Sequence, residues 1–334
     1  MERLAQLKAW LSDNLNMENY KLTPASSDAS FRRYFRVESN GETLIVMDAP
    51  PPQEDTRPFV KVARQLARLG LNVPIIKASN EEQGYLLITD LGDQQYLDHL
   101  NEDSVDKLYG DAMQALLLIQ KGGRAEIEAL PAYNHALLMQ EMELFREWFL
   151  KGHIGLSLTS QEEGMLDTVF ELLAQSALGQ PQVLVHRDYH SRNLMLTAEN
   201  NPGILDFQDA VVGPVTYDLV SLLKDCYIKW PTHKVNAWAL DYMQQASNSN
   251  IMNSIPNDEF IKWFDFMGVQ RHLKATGIFA RLNKRDNKPT YLNDIPRTMS
   301  YVIDVSQKYT ELKPLIVFLQ ERTPKLFEPE SKTK

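Results

Sequence analysis

The period of the apolar positions changes near residue 90. Before it, Leu4, Leu7, Trp10 and Leu11 recur at helical spacing and predict an amphipathic helix over residues 2–15. Phe31, Arg33, Phe35 and Val37 then alternate with Arg32, Tyr34 and Arg36, the period-2 signature of a strand. Asn40-Gly41 is a hairpin turn signal, residues 43–47 form the returning strand, and Pro50-Pro51-Pro52 ends it because proline has no N–H for a ladder. Residues 57–69 read as a helix that opens at Pro58 and stops at Gly70. Two more strands are predicted around 73–76 and 85–89. Asp90-Leu91-Gly92-Asp93 breaks the pattern.

Beyond that break the period is helical: roughly 102–120, 134–151, 160–177, 216–230, 233–247, 257–283, 296–309 and 311–322. The one further β region is a set of short apolar runs between about 183 and 205. The prediction is an α+β chain of two lobes. Residues 1–91 form a small β-rich lobe with a leading helix, an antiparallel sheet and one more helix; residues 92–334 form a larger, mainly helical lobe.

Composition narrows the function classes. The 334 residues are 43% hydrophobic and 24% charged, the balance of an ordinary globular protein long enough for about two cores. A formal charge of −9 argues against a general nucleic-acid or anionic-membrane binder. The single cysteine, Cys226, excludes an intramolecular disulfide and a multi-thiolate metal site; in its helical-looking run it reads as a buried thiol. The opening residues lack the apolar core of a signal peptide and no run has the length of a membrane span, so the cytoplasm is the expected location. Nothing marks an obligate protein partner.

The chemistry-bearing stretch is His186-Arg187-Asp188-Tyr189-His190-Ser191-Arg192-Asn193, flanked by apolar runs and followed by Ile204-Leu205-Asp206-Phe207. Asp-x4-Asn by itself is common and is usually a turn. Here it lies between two strand-like runs with a second carboxylate on the next one. That supplies an acceptor for a substrate proton and two oxygen donors for magnesium, the requirements of phosphoryl transfer.

His186-Arg187-Asp188 with Asn193, and Asp206-Phe207-Gln208 downstream, resemble the catalytic and metal motifs of the protein-kinase-like superfamily. The short gap from Asp206 to Pro214 and Asp218 is similar to its aminoglycoside-phosphotransferase branch. Residues 28–36, 46–51 and 270–282 resemble the amino-sugar kinases of bacterial cell-wall recycling, which phosphorylate N-acetylmuramate or N-acetylglucosamine at the anomeric hydroxyl. The resemblance implies a bilobal protein-kinase-like fold, ATP and Mg2+ as cofactors and a small sugar as substrate. It implies Asp188 as the base that orients the attacking hydroxyl, His190 near the transferring phosphate, and Asn193 and Asp206 on the metal. His186 and Asp218 would brace the loop.

Two parts depart from the superfamily pattern. No glycine occurs between Met1 and Asn40, so Ser27, Asp28, Ala29 and Ser30 would have to serve as the phosphate loop; an ordinary hairpin turn is an equal reading of them. The strand over 42–48 carries no lysine for the α- and β-phosphates. Arg32, Arg33, Arg36 or Lys61 could supply the charge, and Arg33 is favoured because it shares a face with Phe35 and Val37. Adenine would lie against Asp90, Leu91 and Gly92. For the sugar, Gln208, Asp209, Arg271 and His272 offer polar groups, with Arg271 for the lactyl carboxylate, and Trp230 or Trp263 could stack on a ring. Alternatives are a kinase of another small acceptor, such as an aminoglycoside or choline, or a nucleotide-sensing pseudokinase, which the missing lysine suggests.

Overall fold

A computed structural model of the chain describes residues 2–27, 31–122 and 130–327. They form two compact units. The first takes the chain up to His99 together with Arg192–Asp209, and the second takes Leu100–Ser191 and the chain from Ala210 on.

The first unit opens with α1 (Glu2–Ala9), which widens into a π-type turn over Trp10–Asn14. An antiparallel sheet follows: β1 (Lys21–Ser27), β2 (Arg33–Ser39), β3 (Glu42–Asp48), β4 (Ile76–Asn80) and β5 (Tyr85–Thr89), in the order β1-β2-β3-β5-β4. Asn40 and Gly41 both have positive φ, as a two-residue hairpin between β2 and β3 requires. α2 (Arg57–Arg68) stands between β3 and β4, and the short α3 (Tyr96–His99) closes this segment. One face of the sheet packs on the leading helix: Val37, Val46, Tyr85 and Leu87 meet Leu7, Trp10 and Leu11.

Two expectations shift. β1 is absent from the sequence reading because Pro24 and small polar residues mask it; it tolerates proline as an edge strand, with a register shift between Pro24 and Ser26. β4 begins at Ile76, where the strand expected over 73–76 ends.

The second unit is mainly helical: α4 (Val105–Gly122), α5 (His135–Leu144) running into a π-helical stretch over Phe145–Ile154, and α6 (Ser160–Leu178). A β6 strand (Gln182–Val185) leads to the catalytic-type loop. The β7 (Leu194–Met195) and β8 (Gly203–Ile204) hairpin belongs to the first unit, after which β9 (Val211–Pro214) returns to pair antiparallel with β6. Then come α7 (Tyr217–Leu223), α8 (Thr232–Asn248), α9 (Asn257–Asp286), α10 (Ile295–Lys308) and α11 (Lys313–Arg322). The helix expected over 216–230 ends at Leu223, so Cys226 lies in the following loop, still buried.

The central helix α9 is buried along most of its length by α5, the π-helical stretch that follows it, α6, α7, α8 and α10, and α5 crosses it closely. At the crossing any side chain on Gly277 would stand 2.3 Å from the Leu144 carbonyl carbon. That close approach brings Gln270 and Lys274 of α9 within reach of Glu141 on α5.

Candidate active site

The loop that follows β6 is pinned at both ends by buried carboxylates. Asp218, at the start of α7, accepts the backbone N–H groups of His186 at 2.6 Å and Arg187 at 3.0 Å. Asp225 accepts the backbone N–H of Ser191 at 3.0 Å, its hydroxyl, and the N–H of Tyr227 at 3.0 Å. Between these pins the Asp188 N–H donates to His186 Nδ1 at 3.3 Å, so His186 braces the loop. Arg187 has φ +78°, a left-handed conformation that an L-residue holds only when its surroundings over-determine it. Its guanidinium bonds Glu141, which also takes Lys274 at 3.1 Å and the Tyr133 hydroxyl.

Electrostatics follow from that packing. Burial would lift the Asp188 carboxyl, but Lys274 first, then His190, His186 and Arg271, outweigh it and hold the carboxyl below its ordinary value. Asp188 is therefore ionised at neutral pH and able to accept a proton. Asp218 behaves oppositely: burial pushes its carboxyl up to about 7 despite the two backbone donors. Burial also drives His272 down to about 3; its Nε2–H donates to the Lys224 carbonyl, 2.8 Å away, and the ring stacks on Tyr301. His272, named as a sugar contact, is thus placed as a neutral packing residue. Arg271 is buried on the same helix, with one N–H on the Cys226 sulfur at 3.5 Å. The His190 ring packs edge-on against Tyr227. Trp230 is buried in a cluster with Tyr109 and Trp238, which makes it core.

The metal-type residues are set by the β7–β8 hairpin of the first unit. Leu194 pairs with Ile204, and the Leu205 N–H donates to the Asn193 carbonyl at 2.9 Å, so thirteen residues of separation become neighbours across a ladder. Backbone bonds from Leu196 to Gln94 and from Ile204 to Asn72 fasten the hairpin. The Asn193 amide lies 3.4 Å from Asp206 Oδ2. Asp206 has φ +62°, a conformation that Asp tolerates better than most residues. Gln208 Nε2 donates to Asp206 Oδ1 at 2.7 Å, which places Gln208 on this carboxylate; Asp209 is exposed. One carboxylate beside one amide suits Mg2+, which keeps several waters and takes its remaining ligands from phosphate. No cluster of three or more His, Cys, Asp or Glu side chains among the described residues offers a protein-only cage.

A cavity of about 360 Å3 lies in the same unit, large enough for a purine nucleoside. Asp90, Leu91 and Gly92 line it with Ile45, Ile88 and Asp206. Arg36 makes this rim rigid: it holds Asp90 through two N–H groups at 2.6 and 3.1 Å and donates to the Gly92 carbonyl at 3.1 Å. Arg33 faces the other way. It bonds the buried Asp48, which also accepts from Arg3 at 2.7 Å. The reason is period 2. Phe35 and Val37 mark the face that packs on α1, so the residue sharing their face points into that packing. Ser27 ends β1 opposite Arg33, and Asp28, Ala29 and Ser30 lie outside the described residues. The residues missed from sequence are Glu141, Asp225 and Lys274. Each was visible only as an ordinary polar residue in a helical or loop segment.

Residues 21–255 match the phosphotransferase enzyme family. The chain belongs to that family. It is 48% identical over 324 residues, 94% of each chain, to a protein of Pseudomonas putida named N-acetylmuramate/N-acetylglucosamine kinase. A Neisseria meningitidis protein of the same name is 39% identical over 326 residues, 96% of each chain. Among solved structures, the ADP-bound aminoglycoside phosphotransferase APH(2'')-Ib superposes with a TM-score of 0.59 at 14% identity, covering 90% of this chain and 98% of that one. The fold of this phosphotransferase is therefore the expected protein-kinase-like one. No helix among the described residues is long and apolar enough to cross a membrane.

Proposed function

We propose that this phosphotransferase moves the γ-phosphate of ATP to the anomeric hydroxyl of an amino sugar, N-acetylmuramate or N-acetylglucosamine, within peptidoglycan recycling. The observation that carries the reading is near-full-length identity of 39–48% to proteins of that name, joined to an ionised Asp188 in a pinned loop.

In this mechanism Asp188 orients the sugar hydroxyl and takes its proton as the anomeric oxygen bonds to the γ-phosphorus. The bond from that phosphorus to the β–γ bridging oxygen breaks, and ADP leaves. A positioned base contributes roughly 10²- to 10⁴-fold, about 3–5 kcal/mol of barrier. The demand is eased here because a hemiacetal hydroxyl is more acidic than an ordinary alcohol. Asn193 and Asp206 would hold Mg2+, which when bound neutralises charge on the phosphates. The adenine lies in the cavity against Asp90, Leu91 and Gly92. His190 reaches the transferring phosphate, and Arg271 receives the lactyl carboxylate that N-acetylmuramate has and N-acetylglucosamine lacks.

The test is phosphate transfer from magnesium-ATP to a panel of amino sugars, aminoglycosides and choline. The expected product is a sugar 1-phosphate that Asp188→Asn reduces by at least about a hundredfold while ATP still binds. Transfer only to an aminoglycoside or choline would replace the sugar reading. ATP binding without transfer to any acceptor would make the protein a nucleotide sensor.

A further inference from the structure

The strand that should carry a phosphate-binding lysine ends instead in Asp48, buried and held by two arginines. A charge for the phosphates must come from elsewhere, and the register of β2 says from which face. Tyr34 and Arg36 line the cavity, whereas Arg33, Phe35 and Val37 turn toward Asp48 and α1. Arg32 stands one residue before β2, at the alternate position that Tyr34 and Arg36 occupy along the strand. Its guanidinium lies 3.8 Å from Asp206 Oδ1 and 3.8 Å from Glu54 Oε2, with the side chain only 11% exposed. Both separations lie within ion-pair range, so the guanidinium stands between the two carboxylates. Glu54 is itself fixed: its other oxygen accepts the Phe31 N–H at 3.1 Å, directly before Arg32 in the chain.

We propose that Arg32 is the phosphate-binding cation of the nucleotide site and that Glu54 is its positioning residue. The pair reproduces from the entry to β2 the combination of cation and glutamate that a strand lysine and a helix glutamate supply in protein kinases. The charges fit the assignment. The Asp206 carboxylate beside a guanidinium and a metal ion would be balanced once phosphate oxygens arrive between them, and a planar guanidinium can grip two of those oxygens at once. The proposal rests on the phosphotransferase reading and is independent of which acceptor is used.

The test measures binding by calorimetry without acceptor, comparing magnesium-ATP with adenosine. Arg32→Gln should weaken ATP about 10- to 100-fold, the usual loss for a hydrogen bond to a charged group, and leave adenosine unchanged. Arg32→Lys should recover part of the loss, and Glu54→Gln should give a smaller loss in the same direction. ATP binding at wild-type strength in Arg32→Gln, or equal weakening of ATP and adenosine, would overturn the assignment. The sugar reading would be untouched by either result, because no sugar is present.

Discussion

The pinned loop over 186–191 and the hairpin over 192–209 carry adjacent pieces of the same motif, yet they are built in opposite ways. In the loop, four backbone or hydroxyl donors end on the two buried carboxylates of Asp218 and Asp225, and Arg187 is tied to a buried glutamate. In the hairpin the backbone is fixed by its ladder and by Asn72 and Gln94, and the carboxylate is the hairpin's own: Asp206 takes Gln208 at 2.7 Å, with the Asn193 amide at 3.4 Å and Arg32 at 3.8 Å. A base must be in place before the substrate arrives, since proton transfer depends on its direction and its ionisation. A metal and phosphate clamp, the role proposed for Asn193 and Asp206, is completed only when its ligands arrive.

The comparison breaks most visibly at Asp225. Asp225→Ala strands the Ser191 N–H, the Ser191 hydroxyl and the Tyr227 N–H in a buried site, at about 1–3 kcal/mol for each donor left without a partner. A loss of several kcal/mol in urea denaturation, with activity falling in parallel, is expected. Asp206→Asn on the hairpin side should change stability by only about 0.5 kcal/mol while removing transfer. Equal destabilisation by the two variants would show that the contrast between them is false. Asp218 adds a pH signature. Its folded pKa is raised, so the folded state holds the extra proton, and stability present below about 4 is lost as pH rises toward about 7. The slope cannot exceed about 1.4 kcal/mol per pH unit for one proton, and Asp218→Asn should flatten it.

Lys274 tests the ionisation of Asp188, the proposed base, and is expected to have a smaller effect. It donates to the Tyr217 hydroxyl at 2.9 Å and pairs with Glu141, and its charge is the largest of those lowering the Asp188 pKa. Lys274→Met removes that charge, so Asp188 takes up its proton at a higher pH. The acid limb of kcat/KM should move upward, with little change at the alkaline side, and Lys274→Arg should restore it. A limb that stays in place while kcat falls at every pH would reduce Lys274 to a packing role.

The legible part of this molecule was whatever local chemistry specifies. His186 to Asn193 and Asp206 stand out because their spacing is read along the chain, and the β2–β3 hairpin because Asn40-Gly41 permits few other turns. The pins were less visible. Asp225 looked like one more polar residue in a helical run, since a carboxylate that accepts bonds from residues 34 positions away leaves no periodic trace. The return of 192–209 to the first unit rests on bonds to Asn72 and Gln94, again distant in sequence. Period 2 itself was read correctly along β2, but which face would be ligand and which core needed the position of α1.

Arg33 is where that ambiguity can be settled with the smallest measurable change. It shares Asp48 with Arg3, is exposed over about half of its side chain, and lies over the Phe35 ring. Arg33→Ala leaves Asp48 with Arg3 as a charged partner, so the carboxylate is not abandoned and the loss should be about 1 kcal/mol or less, near the value for a partly exposed ion pair. ATP affinity and turnover should stay near wild type, in contrast to Arg32→Gln. A large loss of ATP binding in Arg33→Ala with unchanged stability would reverse the assignment of faces. The phosphate cation would then lie on the α1 side of β2, and the cavity lined by Tyr34 and Arg36 would need another occupant.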